Sequence, residues 1–126
     1  NGLTPRLRQI AVMIAVRKFR GIYAWGVQAR ASLELGIPRN VVDAINAGAS
    51  RQVDDAADQV AYNVAAELVE RGALSDDLFE QARDTLGFNT LLDLVATVGY
   101  YAAVGMWTNV FEVDAPTDIP VPMSGS

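Results

Sequence analysis

Residues 4–36 read TPRLRQIAVMIAVRKFRGIYAWGVQARASLELG, and this stretch decides the fold. Thr4 followed by Pro5 is a helix start: a capping hydroxyl, then a residue with no amide to satisfy. Ile10, Met13, Ile14 and Arg17 recur at helical spacing, with Gln9 beside them. Gly21 breaks the run, Ile22 to Leu35 resume it, and Gly36 with Pro38 closes it. In the second helix Trp25, Gln28 and Ser32 follow at steps of three and four, so they share a side.

The rest of the chain repeats this grammar. A short helix runs through Val41, Val42 and Ile45 to Gly48. Asp54 or Asp55 opens a longer one, with Val60, Val64, Ala65 and Leu68 inward and Gly72 as its stop. Ser75 caps a fifth, with Asp76 and Asp77 in the first turn, where the helix dipole favours negative charge. Gly87 ends it, and Asn89 is expected to cap the last helix, roughly Thr90 to Phe111. No stretch shows sustained period-two alternation, so the expectation is an all-α bundle of about six helices.

The last helix is apolar nearly all round, which predicts burial on several sides, in part by a neighbouring subunit. The uncharged segment Leu94 to Trp107 is shorter than the ~20 residues a bilayer needs, so no membrane span is expected. Three of the five prolines follow Glu112, and they predict an extended tail, draped on a partner. This divides the chain into a helical domain over 1–114 and a proline-rich tail over 115–126.

Composition narrows the chemistry. The 126 residues are one domain's worth, and 51% are apolar, enough for a core. There is no cysteine, hence no disulfide, thiol redox chemistry or sulfur metal site, and no histidine, the commonest general base and metal ligand. The net charge of −5 comes without a basic stripe, which argues against nucleic acid as a partner. No charged start followed by an apolar middle marks a signal peptide, and a cytoplasmic location is the expectation. Nothing reads as a metal site, phosphate loop or nucleophile elbow, and no cofactor is expected.

Leu7-Arg8-Gln9-Ile10-Ala11, Tyr23-Ala24-Trp25, Ala31 and Gly36-Ile37-Pro38 carry a family likeness. Leu94-Val95-Ala96, Val98-Gly99-Tyr100-Tyr101 and Asn109-Val110-Phe111 extend it. Over most of residues 4–114 the chain resembles the carboxymuconolactone decarboxylase family, whose relatives include the alkylhydroperoxidase-D proteins. The resemblance implies an alkylhydroperoxidase-D-like helical bundle, a homo-oligomeric ring (trimer or hexamer), and further helices ahead of residue 1. The peroxidase branch carries Glu, Cys-x-x-Cys and His. Those positions fall here on Gln9, Gly21, Ala24 and Gln28, so peroxidase chemistry is not implied. The decarboxylase branch keeps the Glu and the His, and both are glutamine here.

The resemblance makes Gln9 and Gln28 a pair facing one pocket, able to hold a carbonyl or carboxylate without shuttling a proton. The alternative is two ordinary amides on a wet helix face. Tyr23 is the candidate proton donor in a histidine-free site. Trp25, Tyr100 and Tyr101 are candidate walls for a small planar or lactone-type substrate, the alternative being core filling with polar rims. Arg17 is a candidate carboxylate anchor, although it also suits the end of the first helix, where Lys18 and Arg20 join it. Glu67 and Arg71 are spaced for a helical ion pair. The functional expectation is a small-molecule enzyme, lyase- or isomerase-like. Its rivals are a catalytically degenerate binding protein and an assembly subunit.

Overall fold

The computed structural model describes residues 2–48, 53 and 55–124. Six helices follow in order: α1 Pro5–Lys18, α2 Ile22–Leu35, α3 Arg39–Asn46, α4 Ala56–Arg71, α5 Asp76–Leu86 and α6 Phe88–Val110. There is no strand among the described residues, and the fold is all-α.

The helix ends sit where local chemistry puts them. The Thr4 hydroxyl accepts from the Leu7 amide at 3.2 Å, with Pro5 in the first turn. Asp55 caps α4 by accepting from the Ala57 and Asp58 amides, while Asp54 lies outside the described residues. The Ser75 hydroxyl accepts from Leu78 at 3.3 Å. Gly36 and Gly72 close α2 and α4 with positive φ, where a side chain is disfavoured. Glu67 and Arg71 form the expected ion pair at 3.1 Å.

Two boundaries differ from expectation. At the α1–α2 break the left-handed residue is Arg20, with φ 54, while Gly21 has an ordinary φ of −75. Glycine is needed at 21 for space, because a Cβ there would lie 2.9 Å from the Gly105 Cα of α6. At the start of α6, Gly87 with φ 87 both ends α5 and precedes Phe88, so Asn89 lies inside the helix instead of capping it.

The centre of the bundle is α1, which packs against α2, α3, α4 and α6. Leu7 and every residue from Gln9 to Val16 are buried. Within the chain itself α6 is enclosed less than α1. It buries Thr90, Leu91, Leu94, Val98, Gly105 and Thr108, leaving Phe88, Leu92, Tyr100, Met106, Trp107 and Val110 exposed. Its uncharged stretch runs on past Trp107 to Phe111. At 23 residues it is long and apolar enough to cross a membrane, and only 28% of its most apolar window is buried.

The tail is non-helical, as the prolines dictate, and it lies along its own bundle. Val121 is buried, and its carbonyl accepts from the Trp25 indole at 2.8 Å. The Asn46 amide donates to the Pro122 carbonyl at 2.9 Å and its oxygen accepts from the Ser124 amide at 3.0 Å. Arg30 donates to the Asp118 carbonyl. Gly26 leaves room for this path, since a Cβ there would lie 2.8 Å from Ile119 Cγ2.

The contact between Gly21 and Gly105 is backbone against backbone and has little slack. Gly21→Ala is expected to lower stability by about 1–3 kcal/mol in urea unfolding followed by circular dichroism. Gly2→Ala, with nothing within 4 Å, is expected to be neutral. Equal stability of the two variants would contradict the close packing of the α1–α2 break on α6.

Candidate functional site

α1 turns Gln9 toward α2, where it is 6% exposed. A buried carboxamide must find partners, and Gln28 and Ser32, one turn apart on α2, supply them. Gln9 Nε2 donates to Gln28 Oε1 at 3.1 Å, to Ser32 Oγ at 3.1 Å, and more weakly to the Gln28 carbonyl at 3.5 Å. The Ser32 hydroxyl in turn donates to the Gln28 carbonyl at 2.7 Å. Gln9 and Gln28 therefore face each other, as the sequence suggests. The Gln9 amide hydrogens go to Gln28 and Ser32.

The network then leads to an ionisable pair. Gln9 Oε1 accepts from Arg8 Nη1 at 2.9 Å, and Arg8 Nη2 donates to the Tyr101 hydroxyl at 2.7 Å. The Arg8 guanidinium also sits 5.3 Å from the Tyr101 ring centroid. Tyr100 meets Tyr101 edge-on, with ring centroids 5.1 Å apart. Arg8 and both tyrosines border an open groove of about 390 Å³, with Leu3, Ala96, Thr97 and Asp93 as its other walls. Because the Tyr101 oxygen accepts from Arg8, its own hydrogen remains to be donated.

The other predicted residues lie elsewhere. Trp25 is fully buried and holds the tail through its indole N–H, so it belongs to the core. Tyr23 is 40% exposed and lies about 140° round α2 from Gln28 at 3.6 residues per turn. Arg17 is at the far end of α1, where Nε donates to the Asn46 carbonyl at 2.7 Å and Nη2 to the Ser124 hydroxyl at 3.2 Å. Burial, then the neighbouring Arg20, draws its pKa below the ordinary guanidinium value. Arg8 and Ser32 are the members that site reasoning from the sequence passes over. Ser32 is signalled by its four-residue step from Gln28, and Arg8 only by standing next to Gln9.

No cluster of three or more potential metal ligands occurs among the described residues. The groups gathered here are neutral amides, the Ser32 and Thr97 hydroxyls, the Arg8 guanidinium, the phenols of Tyr100 and Tyr101 and the Asp93 carboxylate. No family model, curated protein or solved structure matches this chain.

If the two amides meet in solution, their effects on stability are coupled. Gln9→Leu is expected to cost about 1–3 kcal/mol. A double-mutant cycle with Gln28→Leu should give a coupling of at least about 0.5 kcal/mol in urea unfolding, whereas additivity would place the amides apart.

Proposed function

We propose that the chain is a carboxymuconolactone decarboxylase-like protein of alkylhydroperoxidase-D-like fold that acts on a small organic substrate, a carboxylate or lactone. The observation that carries this reading is the Arg8–Tyr101 pair, tied to the Gln9–Gln28–Ser32 network and bordering a groove. It supplies an anion anchor and a proton donor without thiol, imidazole, metal or cofactor. Arg8 holds a substrate carboxylate or lactone oxygen, while Tyr100 and Tyr101 flank its ring. In a decarboxylation the bond from carbon to carboxylate breaks and carbon dioxide leaves. The electron pair is taken up by the conjugated lactone carbonyl. The Tyr101 hydroxyl then delivers a proton to carbon, and Asp93 across the groove assists its return from solvent.

The same reading makes the protein a cytoplasmic homo-oligomer, a trimer or hexamer. Trp107 and Phe111, more than 60% exposed and with tilted rings 5.6 Å apart at the end of α6, begin an apolar face that a second copy covers. That face, and not a bilayer or nucleic acid, is where the partner binds.

A second reading is favoured by the way the buried Gln9 amide is spent on Gln28 and Ser32: a catalytically degenerate binding or assembly subunit of the same fold. One assay separates the two. The assembled protein is incubated with a ¹³C-carboxyl-labelled butenolide carboxylate, and release of labelled carbon dioxide is followed by NMR. Turnover that falls about 10²–10⁴-fold in Tyr101→Phe supports the enzyme. Saturable binding without turnover supports the degenerate binder, and neither leaves assembly. In sedimentation, Trp107→Glu with Phe111→Glu is expected to break the oligomer into monomers. A wild-type monomer would contradict the covered face.

A further inference from the structure

A second cavity lies on the other side of the bundle and shares no residue with the groove at Arg8. It has a volume of about 450 Å³, opens to solvent on one side, and is formed by α1, α3 and α4. Ile14, Ile45 and Tyr62, all buried, and Val69 give it apolar walls. Among the described residues, Arg17, Lys18 and Glu70 are its charged members.

The charges are unequal in what they have left to give. Lys18 is joined to Glu70 at 2.6 Å, an exposed ion pair that closes on itself. Arg17 has no carboxylate partner among the described residues; its two bonds go to a carbonyl and a hydroxyl. The guanidinium has five N–H groups in a fixed fork, so donors remain for a further acceptor. Among the described residues that line it, Arg17 and Lys18 against Glu70 give the cavity a single net positive charge, beside apolar walls.

We propose that this cavity binds a monocarboxylate carrying an apolar chain or ring of about six to eight carbons, a size that suits a pocket of this volume. The carboxylate takes the remaining Arg17 donors, and the apolar body lies along Ile14, Ile45, Tyr62 and Val69. A single charge balances the site, and Glu70 disfavours a second negative charge such as a phosphomonoester brings. A neutral molecule leaves Arg17 uncompensated. The burial that lowers the Arg17 pKa acts in the same direction, since an anion relieves the cost of holding the cation there. This site is independent of the chemistry proposed at Tyr101.

Calorimetric titration of the full chain with octanoate and with 1-octanol tests the proposal. Octanoate is expected to bind one per chain, and 1-octanol about tenfold more weakly or worse. Arg17→Gln should weaken octanoate by about tenfold or more. Ala66→Phe, which fills the cavity from α4 without touching the cation, should abolish binding. Tyr101→Phe should leave it unchanged, which separates this site from the groove. Should Arg17→Gln fail to fold, the contrast with 1-octanol and the Ala66→Phe result decide the matter. Absence of saturation by octanoate, equal binding of 1-octanol, or unaltered binding in Ala66→Phe would overturn the proposal.

Discussion

A carboxamide buried in the middle of the central helix constrains the rest of the molecule. α1 is enclosed by α2, α3, α4 and α6, and it carries Gln9 inward among alanines, valines and isoleucines. A buried amide without partners costs about 1–3 kcal/mol. Gln9 therefore dictates that α2 approach in the register that presents Gln28 and Ser32. That approach requires the tight break at Arg20 and Gly21, which in turn seats Gly21 on the Gly105 backbone of α6. Among the described residues no buried side-chain polar atom is left without a partner, so the network closes.

The same arrangement separates two kinds of polar chemistry. At Gln9 the amide hydrogens go to neutral partners while the oxygen accepts from Arg8, which with Tyr101 carries the ionisable chemistry at the groove. At the far end of α1, Arg17 is a cation held by neutral acceptors from the α3 terminus and from the tail. The tail is thus part of the fold: Val121 covers Trp25, and Ser124 closes on both Asn46 and Arg17. The α6 face has no such cover among the described residues.

Much of this is legible in the sequence because it is local. Thr4, Ser75 and Asp55 cap, Gly36 and Gly72 stop, and the four-residue step from Gln28 to Ser32 survives into the site. What sequence reading misplaces is non-local. α6 is the more apolar helix, yet α1 is the enclosed one, because hydropathy reports what a helix prefers and not how many neighbours surround it. Arg8 and Tyr101 stand 93 residues apart, and no periodicity links them. Trp25 shares a helix side with Gln28, but the tail claims its indole, which only the folded chain reveals. Prolines show that the tail is extended without showing which surface it lies on.

The most direct test of the network at the centre is the side-chain amide of Gln9, observed by ¹⁵N NMR with hydrogen exchange. The account predicts slowly exchanging Nε2 protons whose shifts move in Gln28→Leu and in Ser32→Ala. Exchange at the rate of a solvent-exposed glutamine, with shifts indifferent to both substitutions, would contradict it.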